Sequence, residues 1–277
     1  MTDAIGTQTQ ELRSYDAEGG PLAYLDTGGD GPALVLLHGG FLDHRMWHPQ
    51  IPELARTHRV IAPDARGHGA SSVARAPFRP ADDVAALLKH LGAGPAVLVG
   101  LSMGGATAVD VALEHPGLVR ALIVSGVGTS EPEWRDPWML EQQAEQARAL
   151  GAGDAARWVE VFTLFAAGPH RPLDAVDPGV VQLLREMQSY TIAKHTGAEP
   201  DHRVPVTDTW ARAAGIGVPV LALNGELDST DHRAMAERLV RTVRNGRIEY
   251  VEGTAHYPNM ERPDLFNAYV TEFLRGL

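Results

Sequence analysis

The sequence of 277 residues contains no cysteine. That excludes a disulfide framework, a cysteine-ligated zinc and a thiol nucleophile. Positive charge is also scarce, with 24 Lys and Arg against 35 Asp and Glu and a formal net charge of −11. Without an excess of cations to neutralise phosphates, neither nucleic acid nor an anionic membrane is an expected partner. No apolar run approaches the roughly 18 residues needed to span a bilayer. The opening Met1-Thr2-Asp3-Ala4-Ile5-Gly6-Thr7-Gln8 has neither a positive nor an apolar stretch, so no signal peptide is expected. There is no His-Glu-x-x-His motif and no compact cluster of histidines and carboxylates, so no metal is expected. Internal repeats and low-complexity tracts are missing too. A cytoplasmic protein, monomer or homodimer, is the expectation these absences leave.

What is present is the composition of an ordinary globular protein, 44% hydrophobic and 21% charged. The length suits one large α/β domain, or a core carrying a smaller insertion. Residues 1–10 are polar and expected to fray. Strand-like pieces near Leu12–Tyr15 and Leu22–Asp26 flank Glu18-Gly19-Gly20-Pro21 and read as a hairpin. The apolar run Ala33-Leu34-Val35-Leu36-Leu37-His38 suits a strand buried on both faces.

Helices and strands then alternate. A helix near Pro49–Arg56 precedes a strand at Arg59–Pro63, and a helix near Ala81–Leu91 precedes one at Ala96–Gly100. The helix Gly104–Glu114 leads to the strand Val119–Ser125. After a break, the pattern resumes with strand Val218–Asn224, helix Asp231–Val243, strand Arg247–Glu252 and a last helix near Pro263–Arg275. Such alternation implies right-handed crossovers and a mostly parallel sheet. Residues 127–210 interrupt it with helical patterns alone, at Trp138–Leu150, at Asp154–Ala167 with Asp154 as N-cap, and at Pro178–His195. This segment reads as a helical insertion lying over one edge of the sheet. The core is then 1–126 with 211–277, and the cap is 127–210.

Gly100-Leu101-Ser102-Met103-Gly104-Gly105 falls between an expected strand and an expected helix. A nucleophilic hydroxyl needs such a sharp turn, which exposes the oxygen and aims the next backbone N–H at a developing oxyanion. Gly100 and Gly104 remove side chains that would collide there, and the helix N-terminus favours negative charge. Of twelve histidines, His256 stands apart. It follows the last strand, in Glu252-Gly253-Thr254-Ala255-His256-Tyr257-Pro258, and loops at the carboxyl ends of parallel strands are where such sheets place function. Asp228 holds the equivalent place after the preceding strand, in Asn224-Gly225-Glu226-Leu227-Asp228. Its carboxylate would orient the imidazole and stabilise the imidazolium. Glu226 is its rival, and Asp231 can instead cap the next helix. The expected catalytic set is Ser102, Asp228 and His256.

With these residues in place, the sequence resembles the α/β-hydrolase superfamily over nearly its whole length. Asp64-Ala65-Arg66-Gly67-His68-Gly69-Ala70-Ser71 is similar to the family's loop after the fourth strand. Leu98 to Ala106 is similar to its nucleophile elbow, and Gly253-Thr254-Ala255-His256 with Glu261-Arg262-Pro263 to its histidine loop. The order Ser, Asp, His is that of the family. The resemblance implies an eight-stranded, mostly parallel sheet flanked by helices, a helical cap after strand six, and no cofactor. It implies an oxyanion hole made by the N–H groups of Met103 and Gly40, in His38-Gly39-Gly40-Phe41, with Phe41 as the alternative donor and His38 ordering the loop. Within the superfamily the chain looks like the small esterases, lactonases, C–C bond hydrolases and cofactor-free haloperoxidases. A serine at 102 argues against the branches that attack through a carboxylate.

The expected activity is cleavage of an ester or lactone of a small to medium-sized, largely apolar substrate through an acyl-enzyme. C–C bond hydrolysis, haloperoxidase or perhydrolase chemistry, and a non-hydrolytic lyase, cyclase or ligand receptor are the alternatives. Phe41, Trp138, Trp158, Phe162 and Tyr257 are candidate substrate-binding residues, with Met139 and Phe165 as further candidates for the pocket wall. At helical spacing the aromatic residues of the insertion could equally form its own core. Arg45, Arg157 and Lys194 are the basic candidates for an anionic substrate group, and read as surface charges.

Overall fold

A computed structural model describes residues 11–195 and 200–277. The expected fraying of residues 1–10 lies outside them. Eight strands form one sheet: β1 (Arg13–Ala17), β2 (Gly20–Asp26), β3 (Ala33–Leu37), β4 (Arg59–Pro63), β5 (Ala96–Leu101), β6 (Val119–Ser125), β7 (Val220–Gly225) and β8 (Gly246–Val251). Their spatial order is β1-β2-β4-β3-β5-β6-β7-β8. The hairpin pairs β1 with β2, and β2 runs antiparallel to β4. Every pairing from β4 to β8 is parallel. This is the α/β-hydrolase arrangement that the sequence led us to expect.

The apolar runs explain the centre of the sheet. All residues of β3, β5 and β7 are buried, as strands covered by helices on both faces must be. Alternation then divides the core. Leu34, Leu36, Val97, Val99 and Leu101 point to one layer, and Val35, Leu37, Leu98, Leu122 and Val124 to the other. The second layer is closed by the helix Pro80–Leu91, through Val84, Leu87 and Leu88, and by Met103–Glu114. Phe266 and Val270 of the last helix, Pro263–Arg275, close the first.

Between β6 and β7 lie the helices Pro137–Gly151, Ala155–Thr163 and Pro178–Ile192. Asp154 caps the second of these, accepting the Arg157 N–H at 2.9 Å. That helix is shorter than its pattern suggests, because Leu164–Ala166 tightens into a 3-10 turn. The helix expected at Pro49–Arg56 is likewise only the turn Ile51–Leu54, preceded by a 3-10 turn at His44–Trp47. An isolated bridge joins Arg203 to Phe78. Phe165, Val181, Leu184 and Met187 belong to the same apolar cluster as Leu34 and Leu36 of β3 and Val97 and Val99 of β5, so the inserted segment and the sheet share one core.

Candidate active site

Ser102 sits at the turn from β5 into the helix Met103–Glu114, with φ 52° and ψ −116°. Positive φ is costly for any residue bearing a Cβ, and such strain collects at functional turns. The turn is pinned by the Ser102 N–H donating to Ser125 O at 2.8 Å, at the end of β6. Two glycines make it possible. A methyl group on Gly100 would lie 2.2 Å from Gly104 O, and one on Gly104 would lie 2.1 Å from Leu37 O. No side chain fits either place, so the elbow must be glycine there. The Ser102 hydroxyl hydrogen-bonds to none of the described residues.

His256 and Asp228 come from loops after adjacent strands, β8 and β7. The Leu227 N–H donates to Thr254 O at 2.8 Å and ties the two loops together. His256 Nδ1–H donates to Asp228 Oδ2 at 2.8 Å, in a setting where both side chains are almost fully buried. Burial pushes the His256 imidazole below its ordinary pKa, and the Asp228 charge opposes that shift. Burial alone would raise the Asp228 carboxyl, but two imidazoles hold it well below the usual carboxylate range. Glu226, the rival acid, accepts from the exposed Gly253 N–H instead. Asp231 accepts the N–H groups of Arg135 and Asp136 at 2.7 and 2.8 Å, and the N-cap of its helix is Ser229.

The second imidazole is His232, to which sequence reasoning assigns no role. Its Nδ1–H donates to Asp228 Oδ1 at 2.9 Å, and its ring stacks on that of His256 at 4.2 Å. A compact group of histidines and a carboxylate therefore does exist, contrary to the reading of the sequence. Asp43, His44 and Asp64 form another. In the first group both histidines hydrogen-bond to Asp228, and in the second His44 hydrogen-bonds to Asp64, which also accepts the N–H groups of His44 and Ala70. Gly126 and Asn224 were missed as well. Gly126 closes β6 against the His256 ring, and its N–H donates to Asn224 Oδ1 at 3.1 Å. The Asp228-x-x-x-His232 spacing on a helix start was the one available signal.

The loop His38-Gly39-Gly40-Phe41 follows β3. His38 orders it as expected, donating from Nδ1 to Gly39 O at 2.8 Å and accepting the Ala65 N–H at Nε2. Phe41 has φ 58°. A methyl group on Gly40 would lie 3.9 Å from Met103 Cβ, so the two residues expected to supply the oxyanion donors are neighbours. Neither N–H, nor that of Phe41, donates to a described residue.

Of the candidate pocket residues, Phe41, Trp158 and Phe162 form one aromatic cluster. Phe41 lies 4.3 Å from Trp158, and Trp158 lies 4.8 Å from Phe162. Phe162 meets Phe165 at 5.2 Å, and Phe165 reaches His256 at 5.7 Å. Trp138 leans on Phe165, while Met139 is buried in the main core. Tyr257 is fully buried behind the His256 ring. Of the basic candidates, Arg157 is exposed and faces Glu145, and Arg45 makes a two-pronged pair with Asp43. Lys194 is no free surface charge: its ammonium donates to Gly69 O and Ser71 O at 2.7 and 2.5 Å.

A sequence model of the alpha/beta hydrolase fold matches residues 32–263. The carboxylesterase YbfK of Bacillus subtilis is 30% identical over 89% of this chain and 81% of its own. The 3-oxoadipate enol-lactonase 2 of Acinetobacter baylyi is 28% identical over 89% of this chain and 90% of its own. A hydrolase from Pseudomonas aeruginosa superposes with a TM-score of 0.78 at 29% identity, covering 96% of this chain and 99% of that one. No helix among the described residues is long and apolar enough to cross a membrane.

Proposed function

The chain belongs to the α/β-hydrolase family, and on that premise we propose that it is a serine hydrolase of carboxylic esters and lactones, acting through Ser102, His256 and Asp228. The observation that carries this reading is the buried Asp228–His256 pair, whose imidazole lies against Gly126, next in the chain to the Ser125 that pins the strained Ser102 elbow. His256 Nδ1 holds its proton on Asp228, which leaves Nε2 as the acceptor. Ser102 Oγ attacks the substrate carbonyl as Nε2 takes its proton, forming a tetrahedral oxyanion. The N–H groups of Met103 and Gly40 receive that charge. Collapse expels the alcohol with the proton from His256, and water activated by the same nitrogen then releases the acid.

Residues 127–210 serve as the cap. The aromatic run from Phe41 through Trp158, Phe162 and Phe165 to His256 supports a largely apolar substrate. The committed partners of Arg45 and Lys194 favour uncharged groups over dicarboxylates. The names of the esterase and lactonase relatives support the bond class.

The test is a panel of p-nitrophenyl esters, lactones, thioesters and vinylogous diketones, run on wild type beside Ser102→Ala. Wild type should turn over neutral short-chain esters with burst release of nitrophenol and should be labelled by a fluorophosphonate. Ser102→Ala should lose about three or more orders of magnitude in kcat. Undiminished ester hydrolysis by that variant would overturn the reading.

A further inference from the structure

Asp228 is shared. Each of its carboxylate oxygens receives one imidazole, His256 Nδ1–H on Oδ2 at 2.8 Å and His232 Nδ1–H on Oδ1 at 2.9 Å. The Ser229 N–H adds a third bond to Oδ1 at 2.7 Å. The two rings stack at 4.2 Å with 24° between their planes, and His232 is only 3% exposed. A triad needs one imidazole on its carboxylate. A second buried one must have its polar edge satisfied, and here it is satisfied by the atom group that supports the base.

We infer that His232 is a positioning residue: it holds Asp228 by the oxygen that His256 does not use, and so sets how strongly that carboxylate supports the His256 imidazolium. The inference rests on the catalytic reading above. Its physical basis is competition. A carboxylate that accepts a proton donor on Oδ1 has less negative charge to offer a cation at Oδ2. His232 therefore fixes the carboxylate plane while keeping His256 less basic. In agreement, His256 lies below its ordinary pKa through burial, and His232 adds to that shift against the pull of Asp228.

The surroundings leave these three groups in control. His256 is otherwise faced by the rings of Phe165 and Tyr257, and His232 by Trp134, Phe165 and the Ser229 hydroxyl. The nearby carboxylates are engaged elsewhere. Glu261 pairs with Arg171, Asp231 accepts two backbone N–H groups, and Asp136 accepts from Thr230.

His232→Phe keeps the ring and the stack but removes the donor, and His232→Ala removes both. His232→Asn places an amide N–H near the position of Nδ1. The expected result is an acid limb of kcat/KM moved up by about one pH unit in the Phe or Ala variant, with a lower kcat. The Asn variant should return the limb close to wild type. A merely structural role would change stability and leave the limb in place. The His256 imidazole should also be titrated by NMR in Ser102→Ala protein with and without each His232 change, a readout that needs no activity. An unmoved His256 titration in whichever donor-less variant folds overturns the inference, as does an Asn variant that behaves like Phe. Ester hydrolysis surviving in Ser102→Ala would sink the catalytic reading alone, and the titration would still decide the relation between His232 and His256.

Discussion

Gly126 and His256 are in direct contact: a methyl group on Gly126 would lie 2.6 Å from Cε1 and 2.8 Å from Nδ1 of the imidazole. Gly126 has φ 63°. The end of one strand thus walls the ring presented by the loop after another. Gly126→Ala is expected to push the imidazole off Asp228, lowering kcat/KM at least about tenfold. Left-handed backbone strain should cost about 1 kcal/mol of stability as well. Steady-state kinetics with thermal melts separate the two effects. A variant with wild-type kcat/KM would show that the glycine does not place the ring.

The choice between Asp228 and Glu226 as supporting acid is open to a paired measurement. Asp228→Asn is expected to lower kcat by on the order of 10³ to 10⁴, because the amide no longer holds the productive tautomer or stabilises the imidazolium. Glu226→Gln should stay within about twofold of wild type, since among the described residues the Glu226 carboxylate hydrogen-bonds only to the Gly253 N–H. The reverse pattern would transfer the role to Glu226.

Arg171 joins the inserted segment to the histidine loop. Its guanidinium donates to Ala166 O, Ala167 O and Gly253 O and pairs with Glu261, which accepts the Ala255 N–H. Burial raises the Glu261 carboxyl despite these bonds. Arg171→Met leaves that carboxylate buried and unpaired, at a cost of about 3 kcal/mol. A fall in Tm of at least about 6 °C is expected. Arg171→Met with Glu261→Gln should recover part of the loss. A double variant no more stable than the single would show that the unpaired charge is not the cause.

Asp110, on the helix Met103–Glu114 and bonded to Ser130 at 2.7 Å, has its carboxyl raised to about 6 by burial. The unfolded chain titrates it near 3.8. The folded state therefore binds this proton more tightly than the unfolded one. That contribution is fully present below about pH 4 and is lost as pH rises through about 6. Asp110→Asn should accordingly raise stability by on the order of 1–2 kcal/mol at pH 8 and change little at pH 4. Denaturant melts at the two pH values decide it. Equal effects at both would point to a packing change instead.

Much of the sheet was legible because its strands are covered on both faces. Val35 and Leu98 have to avoid water on either side, so their strands read as unbroken apolar runs at the right length. Boundaries were less legible where local geometry overrides pattern. Phe165 continues the periodicity of the helix before it, yet it lies in a 3-10 turn that aims its ring at His256. The turn at Ile51–Leu54 is short because the preceding chain is drawn into the His44–Trp47 turn, which Asp43 caps from its side chain.

By itself the sequence determined the elbow. Glycines at 100 and 104 around Ser102, set between an apolar run and a helix start, permit little else, because the close approaches they allow are local to one turn. Which side chains gather at Asp228 is a different matter. His232 lies only four residues along the chain, on a helix whose composition looks ordinary, and Gly126 lies about a hundred residues away. Only the packing of β6, β7 and β8 decided that both would meet His256, since burial and hydrogen-bond partnership are set by which helix face and which strand end the sheet brings together.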